Sequence, residues 1–285
     1  MAQINLMTQR KPSGSRTLPQ WVSFTLAAGA FAALVMLERR WPLRREVEPK
    51  LTRDARNLAV AGAGAIVNGL AERPIAMAIA RRVEERKLGL VKQLGLPRWL
   101  EIMLAVALLD YTLYIWHYLT HKVPFLWRFH VVHHVDLDMS ASTAIRFHFA
   151  ELLLSVPFRA AQVRAIGASP LAFAIWQTLL FPEVMFHHSN VALPLKWERK
   201  LYRFIVTPRM HSIHHSIVRD ETDSNWSSGL TIWDWLHGTL RRDMPQGTRS
   251  PSACPLTAIQ MMSRYQNSQR CHLQNNVPRG SCLKV

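Results

Sequence analysis

The 285-residue sequence predicts an all-α fold: an integral membrane helical bundle with a histidine-rich helical cap at one membrane face. Two observations carry this expectation. Long apolar runs punctuate the chain, and 49 % of its residues are hydrophobic. Beside those runs lie three short histidine clusters, HYLTH at 117–121, HVVHH at 130–134 and HSIHH at 211–215, which hold eight of the thirteen histidines. Lys plus Arg outnumber Asp plus Glu by 35 to 19. In a soluble protein that excess would suggest a nucleic-acid binder. Interleaved with apolar runs it suits the basic loops of a membrane protein instead, and nucleic acid is excluded as a partner.

Residues 1–16 are polar and basic and read as a disordered tail. The uncharged run 17–37 is long enough to span about 30 Å of hydrocarbon. Its length, and the lack of a small-residue cleavage site before Glu38, argue against a signal peptide. A second apolar stretch, 57–80, is interrupted by Glu72, Arg73 and Pro74, which leaves a kinked span and a re-entrant segment both open. Its AGAGAIVNG portion lacks the strand and spacing of a nucleotide loop, so its small residues are read as allowing close helix packing. The run beginning near Trp99 ends in the first histidine pair, and 17–94 is assigned as an N-terminal transmembrane region.

Residues 152–186 form a fourth apolar region with Gly167, Ser169 and Pro170 near its middle. Two helices joined there would cross and return, or form a shallow hairpin, and bring His148 and His188 to the same end. Orientation rests on basic residues. The loop 38–56 holds seven Lys or Arg and the tail after 189 is basic, which places the histidines on the cytoplasmic side. Six basic residues in 81–98 oppose that assignment unless the second run fails to cross.

The histidine spacing has one chemical reading. Residues three and four apart share a helical face, so His117 and His121 can meet one ion. His130, His133 and His134 repeat the pattern, as do His211, His214 and His215. Eight imidazoles supply four ligands to each of two metals, whereas one metal would leave several buried and unsatisfied. Cys254, Cys271 and Cys282 all lie in the last 32 residues, so the site offers no thiolate. That donor set favours iron over zinc. Asp110, Tyr114, His117 and His121 form one helical stripe, on which Asp110 could accept an imidazole N–H.

These clusters resemble the fatty acid hydroxylase / sterol desaturase superfamily of integral-membrane non-haem di-iron oxygenases. The resemblance is carried by LLDYTLYIWHYLTHKVPFLWRFHVVHHVD at 108–136, TAIRFHFAE at 143–151, FHHSNVALP at 186–194, TPRMHSIHHS at 207–216 and ETDSNWSSGLTIWDWLHGTL at 221–240. It covers about 95–245, assigned as a catalytic domain, and leaves 246–285 as a disordered C-terminal tail. It implies two iron ions held by the eight box histidines and by His188, with O2 as co-substrate. His187 aligns less well and reads as structural.

Around the ligands, Asp110, Tyr114, His148, Glu151, Asn190, Asp223 and Asn225 are candidates for orienting the imidazoles, with His148 open to either role. Phe149 stands where the family has proline. Asp234 reads as an anchor, His237 as packing, and His272 has no partner motif. The resemblance further implies hydroxylation or desaturation of a lipid C–H bond in the bacterial inner membrane or endoplasmic reticulum. No flavin or nicotinamide fingerprint is present, so electrons would come from a ferredoxin or b-type cytochrome with its reductase. A zinc membrane hydrolase would want a glutamate inside a histidine box, and none has one. A metal transporter would spread its ligands along a span.

Overall fold

A computed structural model describes residues 17–216 and 218–242, so the tails, His272 and the three cysteines lie outside the described residues. Within them the chain is helical, with two isolated bridges and no strand. Helix α1 (Gln20–Arg40) ends with Arg39 and Arg40 in its last turn, where cations complement the helix dipole. The next helix runs from α2 (Lys50–Val67) through a π-turn (Asn68–Glu72) into α3 (Arg73–Arg86) without leaving helical conformation. Pro74 has no N–H to give and would crowd the preceding turn; the π-turn absorbs it. The stretch 57–80 is therefore continuous helix through the π-turn.

After the short α4 (Leu90–Gln93), α5 (Arg98–Lys122) returns along the bundle, and α6 (Pro124–His134) follows a one-residue break at Val123. Helices α7 (Phe149–Ile166) and α8 (Pro170–His188) form the expected hairpin. Gly167 ends α7 at φ +84, and a Cβ there would sit 2.7 Å from the Leu88 carbonyl, so only glycine fits. The Ser169 hydroxyl then accepts the Ala172 N–H and starts α8. Four short helices complete the described residues: α9 (Leu195–Leu201), α10 (Pro208–His214), α11 (Arg219–Thr222) and α12 (Ile232–Leu236).

The core lies where α3, α5, α7 and α8 meet, around Ala80, Leu109, Val163 and Phe173. Helix α1 packs on α8, and α2 on α7. Gly64 makes the second contact possible, since a Cβ would meet Leu152 at 2.8 Å; Gly62 faces open space. Of the three glycines of 61–69, Gly64 alone has the packing role expected of the small residues.

Among the described residues two helices, α1 and α5, are long and apolar enough to cross a membrane. Little of α1 is covered by protein, with Trp21, Phe24 and Met36 64–76 % exposed, whereas α5 contributes Ala105 and Leu109 to the core. The two basic loops lie at opposite ends. Glu38 accepts the Ala141 and Asn190 N–H groups, which holds loop 41–49 at the end where α5 and α8 finish. Gly89 packs directly against Gly167 at the other end. There Lys92 pairs with Glu84 and Glu101, so part of the 81–98 charge is neutralised.

Candidate metal centre

Four helix ends converge on one buried volume. The last two turns of α5 bring His117 and His121, the second half of α6 brings His130, His133 and His134, α8 ends on His187 and His188, and α10 runs into His211, His214 and His215. Pro124 and Pro208 start α6 and α10 at fixed backbone angles, and each triplet is presented on a short helix, beginning six residues after Pro124 and three after Pro208. All ten side chains are buried.

Nine of them sort into two groups whose nitrogens lie within 4.8 Å of one another: His117, His121, His130, His134 and His214 in one, His133, His188, His211 and His215 in the other. In the second group the His188 Nε2 stands 2.9 Å from His133 Nε2 and 3.0 Å from His211 Nε2. His134 of the first group stacks on His215 of the second at 4.2 Å, so the groups share a wall. His187 lies against His211, with ring centroids 4.1 Å apart, and belongs to neither group.

The residues present fit a pair of metal ions. Both nitrogens of His121 and His215, together with His130 Nε2, His134 Nε2, His214 Nε2, His133 Nδ1 and His211 Nδ1, are buried without a hydrogen-bond partner. So many orphaned imidazole nitrogens in one place would be costly unless a cation satisfied them. Four rings are turned by a hydrogen bond on the far nitrogen. His117 Nδ1 donates to the Trp226 carbonyl (2.8 Å), His214 Nδ1 to the Ser224 carbonyl (2.8 Å) and His188 Nδ1 to the Val184 carbonyl (2.7 Å). His130 Nδ1 donates to Glu151 Oε1 (2.9 Å). Because a carbonyl can only accept, Nδ1 carries the proton and Nε2 offers its lone pair. Burial pushes His214 down to about 3, and first burial, then neighbouring imidazoles, hold His133, His134, His211 and His215 well below the usual histidine range. These rings are neutral at neutral pH, the form that binds metal.

Several residues placed around the ligands from sequence do something else. Asp110 touches no imidazole: it accepts the Leu230 N–H (2.9 Å) and the Trp233 indole N–H (2.7 Å), and Gly229 lies directly against it. Tyr114, on the same stripe, bonds Thr239. The stripe gives a face for docking the 226–239 loop. His148 stands outside both groups and accepts the Ala150 N–H as the N-cap of α7. Asn190 ties α8 to the chain after α1 through Arg44. Asp223 pairs with Lys122 at 2.7 Å. Asn225, at φ +53, donates to the Met210 and Arg241 carbonyls and so supports α10 from behind.

Glu151 alone of that set hydrogen-bonds an imidazole of either group. Asp234 accepts the Trp226 and Ser227 N–H groups and the Thr239 hydroxyl, which anchors the loop that delivers the Trp226 carbonyl to His117. His237 packs flat on Tyr114, 5.0 Å between centroids. The orienting groups of Trp226, Ser224 and Val184 are backbone carbonyls, which every residue type carries, so no side-chain pattern announces them.

Residues 102–239 match the fatty acid hydroxylase family. Among curated proteins, the chain is 31 % identical over 145 residues to the ornithine lipid hydroxylase OlsE of Rhizobium tropici, covering 50 % of this chain and 43 % of that one. It is 31 % identical over 133 residues to the alkylglycerol monooxygenase of Xenopus tropicalis (46 % of this chain, 28 % of the relative). Over 142 residues it is 29 % identical to the cholesterol 25-hydroxylase of Mus musculus (49 % and 46 %). The chain thus spans less than half the length of these relatives. No solved structure matches it significantly. The matched segment contains every helix end that brings a histidine to the buried volume, and the chain belongs to the fatty acid hydroxylase superfamily.

Proposed function

We propose that the protein is a membrane-embedded hydroxylase that oxidises a C–H bond of a lipid at two irons, held by His117, His121, His130, His134 and His214 on one side and His133, His188, His211 and His215 on the other. One observation carries this reading: the two groups of buried neutral imidazoles open onto a largely apolar cavity of about 380 Å³. His117, His130, His133, His188 and His211 line its floor, and Leu113, Phe147, Leu152, Leu180 and Phe181 are among its walls. An iron pair bound there would supply activation of dioxygen and the oxidising power that no side chain has.

The chain's own residues do the rest. Glu151 holds the proton on His130 Nδ1, and the Trp226, Ser224 and Val184 carbonyls hold those on His117, His214 and His188, so that Nε2 of each points inward. Apolar walls exclude water and position an alkyl chain against the floor. Helix α5 is apolar enough to span a membrane and carries His117 and His121 near its C-terminal end, which supports a centre at the membrane boundary that a lipid reaches from the side. The basic loop 38–56 lies at that same end; it supports a cytoplasmic site and gives an acidic ferredoxin or b-type cytochrome a surface to dock on.

Hydroxylation is favoured over desaturation by the three relatives, each of which is named for hydroxylation or monooxygenation. The test is expression in host membranes with His133→Ala and His214→Ala as controls, followed by mass spectrometry of lipid extracts. Lipids heavier by one oxygen atom are expected with the parent chain and absent with either variant. Their presence at equal abundance in both variants would overturn the reading.

A further inference from the structure

The cavity has a polar end that the metal chemistry does not use. On α7, Glu151 meets His130 at the floor; Ser155 and Arg159 follow one and two turns away, the second about 12 Å along the helix axis. Arg159 Nε donates to Glu72 Oε1 at 3.2 Å, and the Ser155 hydroxyl, with one proton to give, lies 3.1 Å from Glu72 Oε2 and 2.7 Å from the Leu152 carbonyl. The guanidinium also donates to Gln162 and lies 4.5 Å over the Trp176 ring. Glu72, Ser155 and Arg159 are each more than nine-tenths buried, yet all three line the cavity. Asn68, at the start of the π-turn that Glu72 ends, lines it too, and its Oδ1 has no hydrogen-bond partner.

Tying α3 to α7 would explain the ion pair. It does not explain the unpartnered Asn68 acceptor, nor why these groups border a cavity instead of a packed interface. Ionisable side chains at this depth are expensive to keep and mark function more often than stability. A π-turn is likewise frequent at binding sites, because it redirects side chains that a regular helix would present elsewhere.

We propose that Asn68, Glu72, Ser155 and Arg159 bind the hydroxyl group of the lipid whose chain lies along the cavity to the histidines. The inference rests on the lipid-oxidation reading and narrows its substrate class. Charge decides the chemistry. The Glu72–Arg159 pair is neutral as a whole, so a carboxylate entering there meets Glu72 and an ammonium meets Arg159. An uncharged group that donates to Asn68 or Glu72 and accepts from Arg159 satisfies all of them, and a hydroxyl is the smallest that does both. The bound hydroxyl would then fix which carbon reaches the floor, roughly 12 Å away.

The experiment measures binding, so that it stands apart from turnover. The full chain in detergent, both metal-free and iron-loaded, is equilibrated with tritiated 1-alkanols of ten to eighteen carbons. Retained label is displaced by the unlabelled alcohol, its methyl ether, the carboxylate or the amine of equal length. For the best length the alcohol is expected to compete about tenfold better than the other three. Asn68→Leu and Ser155→Ala should each erase most of that advantage while iron content stays at the parent value. Equal competition by the methyl ether, better competition by the carboxylate or amine, an unchanged preference in Asn68→Leu, or no saturable retention at any length overturns the proposal. An alcohol preference in a protein that yields no oxidised lipid would leave this subsite standing and sink the hydroxylase reading alone.

Discussion

Replacing Glu151 by alanine isolates the one side chain that orients an imidazole. The His130 Nδ1–H donates to Glu151 Oε1 at 2.9 Å, and the two side chains are 3 % and 5 % exposed. Water cannot readily replace the lost acceptor, so a buried N–H is left unpaired at about 1–3 kcal/mol. With tenfold per 1.4 kcal/mol, that is roughly a five- to 150-fold loss in metal affinity, in line with the about 10–100-fold typical of partners behind a ligand. Glu151→Gln keeps an oxygen acceptor in nearly the same shape and should lose less than about tenfold, since it forfeits charge assistance only. The assay is iron retained per chain against a graded chelator. The control is Asp110→Asn, which touches no imidazole of either group: it should move the chelator midpoint less than Glu151→Ala does while lowering Tm. A folded Glu151→Ala protein whose midpoint lies within about twofold of the parent would refute the orienting role.

Three further outcomes are expected. Gly64→Val should lower Tm by overpacking α2 against Leu152, at about 1–3 kcal/mol, whereas Gly62→Ala should be neutral or stabilising because open space surrounds it; thermal unfolding in detergent separates them. Asp234→Ala strands the Trp226 and Ser227 N–H groups, so both Tm and the iron affinity of the group containing His117 should fall, read by calorimetry and chelator titration together. Removing the metal from the purified protein should lower Tm and restoring iron should recover it, because the folded state alone gathers the orphaned imidazole nitrogens.

Much of this fold is legible in the chain because hydropathy and helix periodicity are local signals. Gly167-Ala168-Ser169 marks the α7–α8 turn, and the i, i+3, i+4 spacing of the histidines is enough to declare a shared face. Docking between distant segments is not local. The stripe of Asp110, Tyr114, His117 and His121 shows which residues share a face of α5, yet says nothing of the 226–239 loop that covers half of it. For the same reason Asp110 reads as a metal-site carboxylate, although Leu230 and Trp233 occupy it in the fold. Pro74 announces an interruption in the second apolar run without revealing that a π-turn keeps the helix continuous. Asn68 therefore carries no sequence signal, and only the folded cavity gives it one.

The central claim is two irons per chain bound by imidazole alone among the protein's side chains. Elemental analysis of the membrane-purified protein, combined with X-ray absorption at the iron edge, reads both the count and the donor atoms. The expected result is two irons per chain in a nitrogen- and oxygen-donor environment with no sulfur, falling to one or fewer in His121→Ala and in His215→Ala. Two zincs and no iron in properly assembled protein, or sulfur at the metal, would contradict it.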